Sequence, residues 1–403
     1  MMALHNPPAD STEAYRPEVY PKSEEKAQIE FHDLHAQYRA LQKEIDDQIA
    51  NVISHSHFIL GEQVQELERQ LAAYVGRRHC VSCANGTDAL TLLLMAWGVG
   101  AGDAVFTSDF TYFASAGCAS VLGATTIPVD IDPRTFNISP TALETAIQSV
   151  LMEGVLHPRI IIAVDLFGLP ADYPALEAVA QKYGLWVLED AAQGFGGRIG
   201  GKRAGAFGRA AATSFFPSKP LGCYGDGGAI FTDDNREADL LRSLRSQGRS
   251  PEDKYDNRLI GINSRLDTLQ AAILLPKLDA LTRYELNALN QIAERYNSHL
   301  HSLVETPWVP DGYYSSWAQY SVLAKDARQR SSLRSFLQAQ GIPTMVYYPR
   351  GIHQQTAYAS MGFEDSLFPC TLDITQRILS LPMHPYLSDE DVEKVCETII
   401  LHG

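Results

Sequence analysis

The chain has 403 residues, more than one ordinary domain, and its length predicts two or three domains. The formal net charge of −15 disfavours nonspecific nucleic-acid binding, because an acidic surface repels phosphate backbones. With 45% hydrophobic and 20% charged residues, the composition is typical of a globular protein with a large core. The six cysteines are too few for a disulfide framework and indicate reduced thiols, as in the cytoplasm.

No segment is predicted to cross a membrane. The longest uncharged apolar run, Ala89–Gly102, is shorter than the roughly 20 residues that a membrane-spanning helix needs. Residues 1–30 carry Pro, Asp, Glu and Lys without an apolar centre, so a secretory signal is not expected. Residues 1–28 are predicted to form a polar arm that is disordered or draped on a neighbour. We therefore expect a cytoplasmic protein.

Two amphipathic helices are predicted next. The helical pattern of the first starts at Phe31, and Asp33 can cap its start. Its apolar residues recur at spacings of three and four, as on one helix face: Leu34, Tyr38, Leu41, Ile45, Ile49 and Val52. The same spacing predicts a second helix over Gly61–Tyr74.

From residue 79 on, short apolar runs alternate with helical segments. The runs predicted as strands are HCVSCA, DAVFTS, TTIPVD, RIIIAVD, LWVLED, AATSFF and GAIFTD. The helical segments between them are Thr87–Trp97, Phe113–Leu122, Pro140–Val150 and Tyr173–Tyr183. This alternation predicts an α/β layer fold with a largely parallel sheet. From Arg265 a long helical stretch leads into a smaller second domain with fewer strands.

The residues that follow the strands are candidates for a binding site, because ligands bind at the carboxyl ends of strands in open α/β sheets. Asn85–Thr87 follows one strand and opens a helix, whose free N–H groups favour a phosphate; a simple helix cap is the alternative. Asp109–Phe113 follows the next strand, and its aromatic rings could stack on a flat ligand or fill the core.

Two acids, Glu189 and Asp190, end the strand LWVLED. Successive strand side chains point to opposite faces, so only one of them can line a given site. An acid at the end of so apolar a strand needs a partner. That partner is either a salt bridge or a protonated ring nitrogen of a cofactor.

Lys219 lies after another hydrophobic strand, directly before the glycine-rich loop PLGCYGDGG. Buried lysines have a lowered pKa and form Schiff bases, whereas a surface lysine extends its amine into water. Pyridoxal phosphate requires a Schiff-base lysine, an acid for its ring nitrogen, a phosphate cradle and a stacking aromatic. All four follow separate strands here, and their combination predicts this cofactor.

Three other patterns are weaker. Residues 196–202 match the GxxxxGK part of a P-loop, but Arg203 stands where Ser or Thr must bind magnesium. Cys80 and Cys83 form a single CxxC in an apolar strand, which favours buried thiols over a metal or redox site. His353 and His384 show no paired spacing. No metal site is therefore predicted.

Taken together, the motifs resemble the DegT/StrS type of fold-type-I, pyridoxal-phosphate-dependent sugar-nucleotide aminotransferases, from about residue 29 to the end. The motifs that carry the resemblance are FHDLHAQY, FILGEQVQELE, CANGTDAL, FTYFAS, VDIDP, LEDAAQ, SFFPSKPLGCYGDGGAIFT, NSRLDTLQAAIL and LSLPMHPYLS. The SFFPSKPLGCYGDGG block is most similar to the branch that aminates UDP-2-acetamido-2-deoxy-3-oxo-glucuronate for surface-polysaccharide synthesis, with glutamate as the amino donor.

The resemblance implies a role for each matching residue. Lys219 would hold the cofactor, Asp190 would pair with the ring nitrogen and Gln193 with the ring hydroxyl. The phosphate and ring contacts implied are Gly86, Thr87, Ser214 and Tyr112, with Asn263 reaching the phosphate of the neighbouring subunit in a homodimer. The implied substrate contacts are Ser218, Arg265 from the neighbour, Tyr347 and Tyr348. The implied mechanism is ping-pong, with Lys219 as the base that moves the α-proton.

The resemblance also implies a domain division. A large cofactor-binding domain with a mostly parallel mixed sheet would cover residues 29–264, and residues 265–403 would form the connecting helix and a small C-terminal α+β domain.

The sequence departs from that branch near the expected substrate side. Tyr347-Tyr348 replaces His-Tyr, Ser115-Ala116-Gly117 replaces Thr-Ala-Glu, and Arg350-Gly351 replaces an apolar residue followed by Pro. These departures concern the identity of the sugar, so a dTDP-3-keto-6-deoxyhexose or 4-keto-sugar aminotransferase stays open. A separate alternative is a non-catalytic sensory relative that binds the cofactor. Lys219 argues against the dehydratases of this fold, which carry histidine there.

Overall fold

The computed structural model describes residues 29–250, 252–253 and 255–402. The predicted polar arm, residues 1–28, lies outside the described residues.

Helices and strands alternate through the first two thirds of the chain. The α-helices are α1 Leu34–His55, α2 Glu62–Val75, α3 Gly86–Ala96, α4 Ala114–Ser120, α5 Pro140–Glu153, α6 Tyr173–Tyr183, α7 Asn235–Leu244, α8 Thr268–Ala280, α9 Leu286–Leu300, α10 Ala327–Ala339, α11 Pro369–Arg377 and α12 Asp389–His402. The strands are β1 His79–Cys83, β2 Asp103–Ser108, β3 Thr125–Val129, β4 His157–Val164, β5 Trp186–Asp190, β6 Arg198–Ile199, β7 Lys202–Arg203, β8 Ala210–Ser214, β9 Gly228–Thr232, β10 Tyr313–Tyr314, β11 Tyr320–Leu323 and β12 Ile378–Leu381. A π-helical turn, Leu281–Glu285, joins α8 to α9.

The main sheet has seven strands in the order β1-β9-β8-β5-β4-β2-β3. β9 pairs antiparallel with both β1 and β8, and the remaining pairs are parallel. The sheet is therefore mixed and mostly parallel, which confirms the predicted α/β fold class. The parallel arrangement brings the carboxyl ends of β2, β4, β5 and β8 to one edge.

Local signals in the sequence set the helix ends. The Asp33 carboxylate accepts a hydrogen bond from Ala36 N, so it caps α1 as predicted. The Asn85 side chain caps α3 by accepting from Asp88 N. Gly76 ends α2 at a φ of 86°, a left-handed conformation that residues with a Cβ rarely adopt.

Both faces of the sheet are covered by helices. Along β4, Ile160 and Ile162 pack in a core cluster with α3, whereas Ile161 and Ala163 pack with α5 and α6. This alternation is the period of two that a strand imposes on its side chains. Strands buried on both faces read as continuous apolar runs, which is why the strand segments were visible in the sequence.

The C-terminal elements build a second core. It joins α9, α10 and α12 to β11 and β12, and Ile29 is buried in the same cluster. In contrast, α8 packs with α2 and with β8 and β9 of the large sheet. The division of the chain between residues 264 and 265 stays a prediction.

Two of the weaker sequence patterns have plain structural explanations. Residues 196–202, the P-loop-like segment, contribute to the short hairpin of β6 and β7. Cys80 and Cys83 are buried in β1.

Across the described residues, no group of three or more His, Cys, Asp or Glu side chains could hold a metal ion. Nor does any described helix have the length and apolarity needed to cross a bilayer.

Candidate active site

Asp190 is the acid at the centre of the candidate site, at the carboxyl end of β5. Its carboxylate is buried and accepts hydrogen bonds from Ser115 Oγ at 2.7 Å and from Ala192 N at 3.2 Å. Burial raises its pKa, while the Ser115 hydrogen bond, the Ala192 hydrogen bond and the Lys219 charge oppose that shift. A buried carboxylate with only one donor on each oxygen retains lone pairs for a cationic partner.

Lys219 lies in the turn that follows β8, where its backbone N–H donates to the Phe216 carbonyl at 2.8 Å. The residue as a whole is half-buried, but burial of its amine lowers the pKa, and the nearby Asp190 carboxylate partly offsets this. A lowered pKa leaves more of the amine neutral near pH 7, as a nucleophile or base requires.

The start of α3 approaches the end of β8 closely enough to form a cradle. A Cβ at Gly86 would lie 2.6 Å from Ser214 Cβ, so only glycine fits there without a shift. Asn85 caps the helix through Asp88 N, and the N–H groups of the first turn point out of the helix end. Gly86, Thr87 and Ser214 thus adjoin one another at a helix N-terminus that favours a phosphate.

Gln193 is fixed at both ends of its amide. Its Oε1 accepts from Phe167 N at 2.6 Å, and its Nε2 donates to the Tyr348 hydroxyl at 3.1 Å. Burial raises the pKa of Tyr348 far above that of a free phenol, so the hydroxyl stays protonated and can donate to a ligand. The side chain of Gln193 keeps a second Nε2 hydrogen for another acceptor.

Aromatic residues after β2 divide between core and site. Phe110 is fully buried, whereas Tyr112 is 58% exposed and its ring is free to stack on a flat ligand. The ring of Tyr112 lies 6.5 Å from that of Tyr348. The same segment also anchors the C-terminal part: Asp109 pairs with His353 at 2.7 Å and accepts from His353 N.

A second carboxyl pair lies behind the site. Glu189 accepts from Gly205 N and Phe207 N, each at 2.6 Å, and Asp165 accepts from Ala171 N and the Tyr173 hydroxyl. Burial raises the pKa of Glu189 to about 7, and it raises that of Asp165 well above its usual range, with the Glu189 charge adding to the shift. Asp165 Oδ2 has no hydrogen-bond partner among the described residues. A single proton shared between Asp165 and Glu189 would satisfy this oxygen and remove the repulsion between the two carboxylates.

A cavity of about 60 Å³ lies on the side of Lys219 that faces the C-terminal elements. Its lining includes Ser218, His32 and His384. Burial lowers the pKa of each histidine to about 4, so both are neutral at pH 7. A larger open pocket of about 560 Å³ adjoins Thr87 and Tyr112.

Two predicted residues are not joined to this cluster. Asn263 is exposed and bridges through its backbone to Ser246. Arg265 is half-buried, and its Nε has no hydrogen-bond partner among the described residues. Among the described residues, neither side chain forms a hydrogen bond or ion pair with Lys219 or Asp190.

Three residues near the site were not predicted from the sequence. Ser115 differs from the Thr of the similar branch, and its hydroxyl in the apolar segment ASAGCAS was a usable signal. Phe167 contributes a backbone N–H to Gln193, which no sequence pattern reveals. His32 comes from the N-terminal segment, far from Lys219 in sequence, and only the fold brings them together.

The residues present fit pyridoxal phosphate. The cradle that a Cβ at Gly86 would fill suits its phosphate, and the exposed Tyr112 ring suits its flat ring. The buried Asp190 carboxylate suits a protonated ring nitrogen, and Lys219 offers an amine with a lowered pKa.

The chain is similar to proteins of a known family. The sequence profile of the DegT/DnrJ/EryC1/StrS aminotransferase family matches residues 39–400. The chain is 44% identical to the UDP-2-acetamido-2-deoxy-3-oxo-D-glucuronate aminotransferase of Pseudomonas aeruginosa, over 92% of this chain and 99% of that protein. It is also 42% identical to a pleiotropic regulatory protein of Geobacillus stearothermophilus, over 91% and 96% of the two chains. The crystal structure of a DegT DnrJ EryC1 StrS aminotransferase from Brucella abortus superposes with a TM-score of 0.90 at 46% identity, covering 93% of this chain and 100% of that one.

Proposed function

Because the chain belongs to the DegT/DnrJ/EryC1/StrS aminotransferase family, we propose that it is a pyridoxal-phosphate-dependent sugar-nucleotide aminotransferase. It transfers the amino group of L-glutamate to the 3-keto group of UDP-2-acetamido-2-deoxy-3-oxo-D-glucuronate, in the synthesis of a surface polysaccharide in the cytoplasm. The observation that carries the proposal is that the buried Asp190 carboxylate lies close enough to Lys219 for their charges to interact, while burial lowers the pKa of the Lys219 amine. Similarity to the P. aeruginosa enzyme supports the choice of sugar.

Five features of the cofactor would each have a partner in this chain. Gly86, Thr87 and Ser214 would bind its phosphate at the start of α3, and Tyr112 would stack on its ring. Asp190 would pair with the ring nitrogen, Gln193 would donate its second Nε2 hydrogen to the ring hydroxyl, and Lys219 would bind through its amine. When bound, pyridoxal phosphate supplies an electron sink that acidifies the α-hydrogen of the amino donor.

Lys219 acts as the base once its amine is free. Its Nζ would remove the α-proton of glutamate and hold that proton for the return step. Desolvation lowers the pKa of this amine, so a larger fraction is neutral and able to accept the proton. Asp190 accepts no proton in this step; its negative charge keeps the ring nitrogen protonated.

The sugar is bound on the side of Tyr347 and Tyr348. The Tyr348 hydroxyl accepts from Gln193 and keeps its own proton to donate to the sugar. Ser218, next to the base, contributes a second hydroxyl. Arg265 binds the sugar carboxylate, because a guanidinium forms two parallel hydrogen bonds to such a group.

The active unit is a homodimer with shared sites. Arg265 Nε lacks a partner among the described residues of its own chain, and the exposed Asn263 lies two positions earlier. Both are free to complete the site of a neighbouring subunit, with Asn263 at the cofactor phosphate and Arg265 at the substrate. A buried guanidinium nitrogen without a partner is costly, which favours such an arrangement over an isolated chain.

The test is amination with [15N]glutamate and mass detection of the products. The substrates are UDP-2-acetamido-2-deoxy-3-oxo-glucuronate, the same UDP-sugar without the 6-carboxylate, and a dTDP-3-keto-6-deoxyhexose. We expect 15N in the first product, and none with the Lys219→Ala chain. Faster amination of the dTDP sugar would replace the proposed substrate, and no amination of any sugar, without glutamate-dependent loss of cofactor absorbance, would support a sensory protein.

A further inference from the structure

We propose that Ser115 is a positioning residue, whose hydroxyl fixes the Asp190 carboxylate in the orientation and ionisation state that the cofactor ring nitrogen requires. The inference rests on the proposed function of Asp190 and adds a residue to it. Ser115 Oγ donates to Asp190 Oδ2 at 2.7 Å, and both side chains are buried.

Ser115 is itself held on two sides. It lies in the first turn of α4, where its N–H donates to the Tyr112 carbonyl at 3.2 Å. Its hydroxyl lies 3.3 Å from Thr111 Oγ1, within the same hydrogen-bonded chain. The residue therefore connects the backbone of the ring-stacking Tyr112 to the acid that pairs with the ring nitrogen.

The hydroxyl restricts how Asp190 can turn. Ser115 occupies Oδ2 and the Ala192 N–H occupies Oδ1, so rotation about the Cβ–Cγ bond would break both hydrogen bonds. Each oxygen keeps an open lone pair for a ligand. Without Ser115, one buried oxygen would lose its donor, which is costly for an ionised group.

Charged and titratable groups surround Asp190 on several elements. The loop after β8 contributes Lys219, whose charge lowers the Asp190 pKa. Tyr348, Cys118 and Tyr173 also lie within range of its charge, and burial raises the pKa of each. Each of these three side chains is therefore neutral near pH 7. The side-chain hydrogen bond to the Asp190 carboxylate comes instead from Ser115.

The test measures the affinity of the apoprotein for the cofactor. Quenching of tryptophan fluorescence reports the binding. We compare Ser115→Ala, Ser115→Cys and Ser115→Thr, with Ser120→Ala as the matched control. Ser120 lies on the same helix, but its hydroxyl contacts Thr126 and Tyr358 instead of Asp190. Each protein is titrated with pyridoxal phosphate and with its 1-deaza analogue, which lacks the ring nitrogen.

We expect Ser115→Ala to weaken pyridoxal phosphate binding by about tenfold or more, as loss of a charge-assisted hydrogen bond predicts. Ser115→Cys, a weaker donor of nearly the same size, should give a smaller loss, and Ser115→Thr and Ser120→Ala should bind normally. The 1-deaza analogue should bind the wild type and Ser115→Ala equally, within about twofold, because the penalty belongs to the ring nitrogen. An equal loss for both ligands would overturn the proposal and make Ser115 a packing residue.

A second measurement reads Asp190 directly. The 13C carboxyl resonance of Asp190 in the apoprotein should titrate at higher pH in Ser115→Ala than in the wild type, and at the wild-type pH in Ser115→Thr. An unchanged titration would overturn the proposal even if Ser115→Ala fails to bind cofactor. Asp190→Asn distinguishes failure of the Ser115 proposal from failure of the proposed function. If Asp190→Asn retains full activity, the proposed role of Asp190 is wrong. If only the Ser115 variants behave like the wild type, the positioning role of Ser115 is wrong and the role of Asp190 is unaffected.

Discussion

Glu189 and Asp190 are consecutive in β5, yet their carboxyl groups form hydrogen bonds on opposite faces of the sheet. Asp190 accepts from Ser115 Oγ and Ala192 N, whereas Glu189 accepts from Gly205 N and Phe207 N. The strand period of two separates them. One acid is thereby available to a ligand, and the other stabilises the loop that follows the β6–β7 hairpin.

Asp190→Asn should fold and bind cofactor but lose at least about a hundredfold in kcat, because a neutral amide does not keep the ring nitrogen protonated. The measurement is steady-state amination with a thermal melt of each protein. Asp103→Asn is the control, since Asp103 is also a mostly buried acid, but lies at the start of β2, where it pairs with Arg159. A near-normal rate in Asp190→Asn would contradict the assignment.

Amide substitutions at Asp165 and at Glu189, the carboxyl pair behind the site, should differ in their effect on stability. Asp165→Asn should fold well, because its Oδ1 still accepts from Ala171 N and Tyr173, while its Nδ2 replaces the shared proton toward Glu189. Glu189→Gln should lose about 1–3 kcal/mol of unfolding free energy, because its NH₂ leaves Gly205 N or Phe207 N without an acceptor. Urea denaturation at pH 7 measures both, and equal losses would contradict the shared proton.

The same pair predicts how stability changes with pH. The folded pKa values of Asp165 and Glu189 are raised, so the folded pair binds a proton that the unfolded chain releases above about pH 4–5. Stability from this source falls as pH rises, by about 1.4 kcal/mol per pH unit. Asp165→Asn lacks that proton, so its stability relative to the wild type should improve between pH 5 and pH 8. A pH-independent difference would show that the wild-type pair is fully ionised.

The buried His32 should change the stability with pH in the opposite direction. Burial lowers its folded pKa from 6.5 to about 4, so the unfolded chain binds the extra proton between these values. The stability that it contributes is fully present above pH 6.5 and is lost as pH falls towards 4. When the pH is lowered from 7 to 5, the unfolding free energy of His32→Leu should therefore fall by about 2 kcal/mol less than that of the wild type, as urea denaturation at each pH would measure. His55→Gln, at an exposed position, should follow the wild type.

The strands of the main sheet could be predicted from the sequence, whereas contacts between distant segments could not. Strands such as LWVLED were visible because both faces are buried and the apolar run is continuous. The two-residue strands β6, β7 and β10 were missed, because they are too short to show any period. The Ser115–Asp190 hydrogen bond and the approach of His32 to Lys219 depend on tertiary packing, which local patterns do not encode.

Arg265→Ala tests the shared site. We expect its KM for the uronate substrate to rise by about tenfold or more, through loss of a charge-assisted bond worth about 1.5–3 kcal/mol, with little effect on a sugar that lacks the 6-carboxylate. Mixing Arg265→Ala with Lys219→Ala chains should restore activity, since a hybrid dimer contains one intact site. Equal losses on both sugars would indicate a structural residue.

Absence of rescue, once hybrid dimers are shown to form by native mass spectrometry, would place Arg265 in the site of its own subunit. Arg258→Ala is the control for this experiment. It lies close by in sequence but forms exposed ion pairs with Glu252 and Asp256, so its KM should not change.

The most direct test of the central assignment is borohydride reduction of the cofactor-loaded protein, followed by tryptic peptide mapping. Lys219 is the only lysine between residues 210 and 236, and the Lys219–Pro220 bond resists trypsin, so the peptide 210–236 reports on it alone. We predict the mass of one reduced cofactor on this peptide, and its loss when glutamate is added before reduction. A cofactor adduct on any other lysine, or none on peptide 210–236, would contradict the account.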